Sequence, residues 1–506
     1  MSGSHHHVLS RRIRAVLALP VVAALLATGC GTTTDSDRAQ AFPADLAGQV
    51  DQIMKSHIDA GLIPGAAVSI IDPEHGNYSQ AYGVADTATG RRAQVSDHYR
   101  VGSITKTFVA TAVLHLADAQ KLSLDDPLRK YVAAIPNGDT ITVRDLLGMR
   151  GGVYDFATNP EFFPQLLTAT PDRVWSIGDA LRIIRDNPDK AQPPNSRTAY
   201  SNSEYLLLGL ILEKVTGRPV RDIVNDLASD YGLHDTRYPP DATLPTPDSR
   251  GYAYDTDVRT DVTARTPPTL WEAAGSLVAS VPDLATYAAA LGEGRFLEPR
   301  TDTARTTFTD GYGLGLMSDG SWIGHSGAVL GYTSRTMYLP ERKVSVAIAV
   351  NQYTPAYRSL LSIDATYIWT DLVAQLYPGT ISGLDNLPTA QPPIPDPADL
   401  TAELAQALNP SISASAKNLR IEGDDKDPDL VTKLARAYAH SVLEVTVDKT
   451  TDIGRNRLIA TTSTTTLDGT VPMLIPLVPT GNAWRLDDGW VCTQIVADGQ
   501  QSPACP

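Results

Sequence analysis

One ten-residue stretch, residues 100–109, most constrains how this chain folds. It reads Arg-Val-Gly-Ser-Ile-Thr-Lys-Thr-Phe-Val, and an apolar run continues it to Leu116. This pattern predicts the start of a helix, on which Ser103 and Lys106, three residues apart, share a face. A serine hydroxyl becomes a nucleophile when a neighbour takes its proton, and an amine does so when its charged form is disfavoured. Alone the pair says little, because a chain of this length contains such pairs by chance.

A second motif, Tyr-Ser-Asn at residues 200–202, lies on a loop just before a predicted helix. Acyl transfer needs a nucleophile, a base, an acid for the leaving group and an oxyanion hole. The phenol of Tyr200 is predicted to relay a proton to the leaving group. The side-chain amide of Asn202 is predicted to bind a substrate amide, although it is also a good N-cap for the helix that follows.

A third motif, His325-Ser326-Gly327, ends a predicted strand. Such a strand can lie beside an extended substrate, and Gly327 lets two backbones approach closely. The backbone N–H groups of Ser103, at a helix start, and of Ala328 are predicted to form the oxyanion hole. A histidine that is merely hydrogen-bonded at a strand end remains an alternative for His325.

Together these three motifs resemble those of the penicillin-recognising serine enzymes, of the class C β-lactamase and D-alanyl-D-alanine carboxypeptidase type. Their pattern is Ser-x-x-Lys, Tyr-x-Asn, and Lys-Thr-Gly or His-x-Gly. The flanks at residues 100–102, 206–210 and 274–277 resemble the family as well, and the resemblance covers residues 43–377. It implies an α+β fold with an antiparallel sheet of the β-lactamase/transpeptidase type, flanked by helices and interrupted by a helical subdomain. It also implies that Ser103, Lys106 and Tyr200 are catalytic.

The pattern of apolar residues places the elements of this domain along the chain. Helices are predicted near 46–58, from Ser103 to Leu116, after a capped start at 121–128, and at 142–148, 203–215, 282–291 and 360–376. Strands are predicted at 66–71, 78–85, 321–325, 332–339 and 344–350. Met317, Tyr312, Trp322 and Tyr332 are predicted to be packing residues.

The N-terminal 29 residues are predicted to be a signal peptide. Arginines at positions 11, 12 and 14 precede an apolar run, Ala15 to Thr28, that is too short to span a bilayer. The run ends in Ala27-Thr28-Gly29-Cys30, which resembles the lipobox of bacterial lipoproteins, although leucine is more usual where Ala27 stands. The resemblance implies lipidation of Cys30, residues 30–42 as a tether, and a location on the outer face of the cell membrane. A plain secretory signal is the alternative.

Residues 378–399 are rich in proline and are predicted to be a semi-rigid linker to a second domain, residues 400–506. That domain resembles the secreted low-molecular-weight antigen domain of mycobacteria at residues 408–410, 427–430, 484–486 and Cys492. The resemblance implies a small α+β domain of the cystatin/NTF2-like type without chemistry of its own. Helices are predicted at 400–408 and 428–440, and antiparallel strands at 443–447, 457–467, 473–479 and 484–496.

Cysteine usage is consistent with an exported protein. The chain has three cysteines, so lipidation of Cys30 leaves Cys492 and Cys505 as an even pair in an oxidising compartment. A disulfide between them is predicted, with two free thiols as the alternative.

Charge and motif content exclude several classes of function. The net charge of −15 argues against nucleic acid as a partner, because the two polyanions repel each other. The sequence shows no metal-ligand spacing and no glycine loop for phosphates, so neither a metal nor a cofactor is predicted. The oligomeric state stays open.

The substrate is less constrained than the mechanism. His325 stands where the β-lactamase form has lysine, so a permanent cation for a substrate carboxylate is missing, and Arg335 on the next strand is the remaining candidate. We therefore predict an esterase or amidase that acts on an acylated component of the cell envelope. A carboxypeptidase with weak β-lactamase activity, and a catalytically silent protein that binds peptidoglycan or glycolipid, are the alternatives.

Overall fold

The computed structural model describes residues 41–162, 174–255, 258–353, 365–381, 391–439, 442–466 and 469–505. The predicted signal peptide, Cys30 and nearly all of the tether lie outside the described residues. So do the middle of the proline-rich linker and the predicted start of the helix at 360.

Strands and helices are numbered in chain order. The strands are β1 (Gly65–Asp72), β2 (Gly76–Asp86), β3 (Arg91–Arg92), β4 (Tyr99–Arg100), β5 (Tyr252–Asp255), β6 (Val258–Asp261), β7 (Val278–Ala279), β8 (Met317–Asp319), β9 (Trp322–Val329), β10 (Tyr332–Leu339), β11 (Val344–Val350), β12 (Arg420–Ile421), β13 (Val442–Asp452), β14 (Leu458–Thr466), β15 (Gly469–Thr480) and β16 (Ala483–Leu486). The α-helices are α1 (Ala44–Asp59), α2 (Thr105–Asp118), α3 (Val143–Leu147), α4 (Ile177–Asp186), α5 (Asn202–Thr216), α6 (Val220–Asp230), α7 (Pro268–Trp271), α8 (Val281–Gly292), α9 (Pro299–Arg305), α10 (Ala365–Leu376), α11 (Pro397–Ala407), α12 (Leu430–Tyr438) and α13 (Asp488–Ala497).

The domain of residues 43–377, called the catalytic domain below for its predicted role, is built on a seven-stranded antiparallel sheet, in the order β3-β2-β1-β11-β10-β9-β8. Strand β1 pairs with β11, so the first and last strands of the domain are neighbours at the centre of the sheet. The helical region between β4 and β8 is therefore an insertion into one sheet, which confirms the predicted architecture. All residues of β10 and β11 are buried, because helices cover both faces of the sheet.

Each face of the sheet has its own apolar core. Helices α1 and α10 cover one face, where Met54 and Trp369 pack with Val68 of β1. Helices α2 and α8 belong to the core on the other side, where Phe108 and Leu284 lie in the same cluster as Ala347 of β11. The cleft described below lies on the α2 side.

Helix α2 begins in a tight turn that only glycine fits well. Residues 102–104 form a 3₁₀ turn, and Gly102 has a φ of +50°. A Cβ atom on Gly102 would lie 2.7 Å from the backbone nitrogen of Ala328, so any side chain there would push β9 away. The Thr105 hydroxyl donates to the Gly102 carbonyl at 2.6 Å and accepts from the amide of Leu277 at 3.0 Å. This turn therefore fixes Ser103 against β9.

Of the two helices predicted between residues 121 and 148, one is confirmed and one is wrong. The segment predicted at 142–148 is a helix, and a capping box between Thr142 and Asp145 starts it. The segment that follows 121–128 forms only a 3₁₀ turn, Leu128–Lys130. The amide of Leu128 bonds to the carbonyl of Ile141 at 2.8 Å, so the backbone pairs with a neighbouring loop instead of closing a helix.

The C-terminal domain has a five-stranded sheet in the order β12-β16-β15-β14-β13, with α11, α12 and α13 in its apolar core. The pairs along the sheet are antiparallel except β12 with β16, which is parallel. The prediction of a strand over 484–496 is wrong beyond Leu486. The Asp487 carboxylate accepts from the amide of Trp490 at 2.8 Å and so caps a helix, α13.

Cys492 of α13 and Cys505 form a disulfide that closes the chain end onto the C-terminal domain. A disulfide also closes a loop whose entropy in the unfolded chain is thereby reduced. Among the helices of the described residues, none combines the length and the hydropathy needed to cross a bilayer.

Candidate active site

Ser103 and Lys106 meet at the start of α2. The Lys106 Nζ lies 2.9 Å from the Ser103 Oγ, 2.8 Å from the Asn202 Oδ1 and 2.7 Å from the Ala274 carbonyl oxygen. Lys106 is completely buried. Burial lowers its pKa to about 7, and the nearby Asp155 opposes that shift by favouring the ammonium form. A lysine in this state is partly neutral at pH 7 and can accept a proton from the serine hydroxyl.

Tyr200 lies over the same lysine. Its ring centre is 4.9 Å from the Lys106 Nζ, and its hydroxyl is hydrogen-bonded to Ser103. The residue is 43% exposed and lines the cleft together with Ser103. Desolvation raises the pKa of Tyr200, and the contact with Ser103 opposes the rise. The phenol therefore keeps its proton at neutral pH and is available as a donor to a leaving group.

Asn202 connects the lysine to a carboxylate that the sequence reasoning missed. Its Oδ1 accepts from Lys106, and its Nδ2 donates to the Asp155 Oδ2 at 3.1 Å. Asn202 is the first residue of α5, but Ser201 is the N-cap, so Asn202 is not the capping residue. One Nδ2 hydrogen remains beyond the bond to Asp155, and the predicted contact with a substrate amide remains a prediction.

The first turn of α5 holds the loop that carries Asp155. The Ser203 hydroxyl accepts from the amide of Phe156 at 3.0 Å and donates to the Tyr154 carbonyl at 2.7 Å. Glu204 is buried, and its Oε1 accepts from the Val153 amide at 3.2 Å. Desolvation raises the pKa of Glu204 well above that of a free carboxyl, and the backbone hydrogen bonds from the loop oppose the rise. Ser203 and Glu204 are far from this loop in the sequence, so no sequence pattern predicts that they contact it.

His325 forms the opposite wall of the site, in the middle of β9 and not at its end as predicted. The Tyr312 hydroxyl donates to its Nε2 at 3.1 Å, and its Nδ1 donates to the Ser326 carbonyl at 2.5 Å. Burial, followed by the charge of Lys106, lowers the pKa of His325 to about 3. His325 is therefore neutral at working pH, and Tyr312, predicted to be a packing residue, orients it.

The backbone of β9 lies directly against the Ser103 turn. A Cβ atom on Gly327 would lie 1.9 Å from the Val101 carbonyl oxygen, so this position requires glycine. Since the Cβ position of Gly102 is also close to the backbone of Ala328, at 2.7 Å, the Ser103 turn and the Ala328 backbone belong to the same wall. This is the arrangement that the predicted oxyanion hole needs.

These groups line one cleft of about 460 Å³. Its described lining comprises Ser103, Tyr200, Asn202, Trp271, Ala274, Gly275, Met317, His325, Ser326, Gly327, Ala328, Val329 and Thr366. Met317, predicted to be a packing residue, is part of this wall. Another cavity, of about 520 Å³, lies away from Ser103 where α1 and α10 meet the C-terminal domain.

Arg335 does not serve the cleft as its sequence position suggested. It pairs in register with Ser326, whereas His325 pairs with Thr336, so the Arg335 side chain lies on the other face of the sheet. There it bonds to Asp319 at 2.5 Å and stacks on Trp369 at 4.4 Å. The described lining of the cleft contains no arginine or lysine. Lys106 lies behind Ser103 and is not part of that lining.

Glu422, Asp487 and Asp488 form an acidic cluster in the C-terminal domain, with one oxygen of each within 4.8 Å of the others. Asp487 already caps α13, so the cluster has a structural use, and we assign no metal to it.

A family comparison agrees with this geometry. The beta-lactamase family matches residues 50–363, which is more than half of the chain. The chain belongs to the beta-lactamase family. The C-terminal domain of low molecular weight antigen MTB12 matches residues 393–502, as the resemblance of that region implied.

Curated relatives of this beta-lactamase family member match only part of their length. Protein flp of Staphylococcus aureus (strain MW2) is 29% identical over 183 residues, which is 35% of this chain and 35% of the relative. A putative D-alanyl-D-alanine carboxypeptidase of Escherichia coli O157:H7 is 29% identical over 241 residues, or 43% of this chain and 54% of the relative. The chain thus spans about a third to a half of these relatives.

Solved structures share the fold of the beta-lactamase family domain. The D-stereospecific amidohydrolase from Streptomyces sp. is 27% identical with a TM-score of 0.56, covering 66% of this chain and 99% of that one. The D-amino acid amidase from Ochrobactrum anthropi SV3, at 24% identity and a TM-score of 0.57, covers 66% of this chain and 98% of that one. The catalytic domain therefore has the β-lactamase/transpeptidase-like fold, whose members include amidases and carboxypeptidases.

The pKa of Lys106 predicts the pH dependence of this beta-lactamase family site. We expect kcat/KM for an ester to rise through about pH 7 and then level, because only the neutral amine accepts the Ser103 proton. Since Asp155 raises the pKa of Lys106, Asp155→Asn should move the midpoint to lower pH. The profile of both proteins from about pH 5 to about pH 9 measures this. A midpoint that moves upward or stays fixed in the variant contradicts the role given to Asp155.

Proposed function

We propose that this protein is a serine hydrolase of the amidase or esterase type, acting through an acyl-serine intermediate on a cell-envelope component. The substrate carries no carboxylate beside the bond that is cleaved. The observation that carries this substrate assignment is that the described lining of the cleft contains a neutral His325 and no lysine or arginine.

The proposed reaction begins when the Lys106 amine takes the Ser103 proton and the Oγ attacks the substrate carbonyl carbon. The amides of Ser103 and Ala328 stabilise the oxyanion. As the oxyanion collapses, the bond to the leaving group breaks and Tyr200 donates its proton to the departing nitrogen or oxygen. The protonated Lys106 returns a proton to Tyr200. Water then attacks the acyl-serine, releases the acid and restores the Ser103 hydroxyl.

Apart from Lys106, which is engaged with Ser103, the part of the cleft that the structure describes offers no lysine or arginine, and this favours an uncharged leaving side. A carboxypeptidase binds the C-terminal carboxylate of its substrate, which calls for a positive partner. In the described lining His325 is neutral, and Arg335 bonds to Asp319 on the opposite face. An amide or ester without that carboxylate avoids the desolvation of an unpaired anion. The likeness to the D-stereospecific amidohydrolase supports an amide next to a D-residue.

A matched pair of substrates tests this assignment. The full-length protein is given N-acetyl-D-alanyl-D-alanine and its C-terminal amide, together with short nitrophenyl esters, and Ser103→Ala serves as the control. We expect kcat/KM for the amide to exceed that for the free acid by about tenfold or more, with the control inactive. A preference for the free acid contradicts the proposal.

A D-alanyl-D-alanine carboxypeptidase is the second candidate, since the relative from Escherichia coli O157:H7 bears that name. A carboxypeptidase would have a higher kcat/KM for N-acetyl-D-alanyl-D-alanine than for its C-terminal amide. A protein that turns over neither the peptides nor the esters, and whose Ser103 is not labelled by a fluorophosphonate, would be the catalytically silent binder.

We propose further that Cys30 carries the lipid that anchors the enzyme to the outer face of the membrane. The support is the lipobox-like end of the N-terminal apolar run. Cys30→Ser should release the protein from the membrane fraction. Membrane retention of this variant would contradict the anchor.

A further inference from the structure

The β13–β14 hairpin of the C-terminal domain packs against the catalytic domain. We call residues 453–457 the hairpin tip. Ile453 and Ile459 are completely buried and belong to the same apolar cluster as Ile368 and Leu372 of α10. The tip is thus built into the core that covers the outer face of the catalytic sheet, and the two domains share that core.

Arg455 makes the polar contacts of the hairpin tip. Its Nε donates to the Asp371 carboxylate, and its Nη2 donates to the Tyr367 carbonyl oxygen at 2.8 Å. Its guanidinium also stacks on the Tyr367 ring at 4.6 Å, and Arg457 does so at 5.0 Å. Asp371 and Tyr367 are one turn apart on α10, so a single side chain of the C-terminal domain holds the first two turns of that helix.

The same end of α10 reaches the active site. Thr366, which directly precedes Tyr367, lines the cleft that contains Ser103. The amide of Ala365 is held to β10 by the Thr333 hydroxyl at 2.9 Å. The first turn of α10 is therefore fixed by β10 on one side and by Arg455 on the other, and it presents Thr366 to the cleft.

We propose that Arg455 is a positioning residue for the cleft: through Tyr367 it sets the wall at Thr366 and thereby the size of the group that the cleft admits there. The inference rests on the proposed function only in that Ser103 must be the nucleophile. It gives the C-terminal domain a role in substrate selection without any chemistry of its own.

The test compares the labelling of Ser103 by an ethyl and a dodecyl fluorophosphonate in the full-length chain. Arg455→Ala should change the ratio of the two rate constants by about five- to tenfold, with the ethyl rate within about twofold of the original. Arg455→Lys keeps an ion pair with Asp371 but loses the planar stack, so its ratio should be intermediate. Arg436→Ala, which removes an exposed arginine of α12, is the matched control and should leave the ratio unchanged.

Amide hydrogen exchange in the first turn of α10 is measured on the same variants. This measurement does not depend on Ser103 being reactive. We expect faster exchange there in Arg455→Ala and not in Arg436→Ala. Unchanged exchange together with an unchanged size ratio overturns the inference, even if the melting temperature of Arg455→Ala falls. Absent labelling of the original protein counts against the proposed function instead, and the exchange result then decides the positioning role alone.

Discussion

Ser103→Ala should reduce kcat/KM for every substrate of the enzyme by a factor of about 10⁴ or more. The substitution removes the hydroxyl oxygen that lies 2.9 Å from the Lys106 Nζ, so no acyl-serine can form at this position. The side chain is small and partly exposed, and the alanine is compatible with the 3₁₀ turn at residues 102–104. The loss therefore belongs to the chemical step, which steady-state kinetics with a nitrophenyl ester would measure.

Ser326→Ala is the matched control, because Ser326 lines the same cleft and its hydroxyl contacts only the Met317 sulfur at 3.8 Å among the bonds described for it. It should retain fluorophosphonate labelling. An active, labelled Ser103→Ala protein would mean that another residue is the nucleophile.

Lys106→Met should lower the rate of acylation by about 10³-fold, the middle of the range for general-base catalysis. Methionine fills a similar volume but cannot accept the Ser103 proton. It also leaves the Asn202 Oδ1 and the Ala274 carbonyl without their donor, so the melting temperature must be recorded alongside the rate.

Lys106→Arg separates proton transfer from charge. Arginine stays protonated in this site because its pKa is far above that of lysine, so it keeps the positive charge but is no base. We expect it to be nearly as inactive as Lys106→Met. If Lys106→Arg kept most of the activity, Lys106 would act by its charge and not as the base.

The local parts of this site were predictable, and the parts that depend on register were not. Ser103 and Lys106 follow from helical spacing, and Gly327 from the close approach of two backbones. The side chain of Arg335 could not be placed from the sequence, because a shift of one residue in strand pairing moves a side chain to the other face, and the register of β9 and β10 is set by the whole sheet. Asp155 was missed because it reaches Asn202 from a loop that is held by Ser203 and Glu204, far along the chain.

The end of the chain shows the same limit in secondary structure. Residues 484–496 are apolar and aromatic enough to resemble a strand, but Asp487 stops β16 and caps α13. A short apolar run does not distinguish a buried strand from a buried helix, and here one cap decides. The helix matters to the fold because it carries Cys492 to Cys505.

The most direct test of the account is the mass of the tryptic peptide Val101–Lys106 after the protein has reacted with a fluorophosphonate. Trypsin cleaves after Arg100 and after Lys106, so this peptide contains Ser103 as its only serine. The account predicts that the adduct is found on this peptide, with a yield that rises with pH through about pH 7. An adduct on any other peptide, or none on the folded protein, would contradict it.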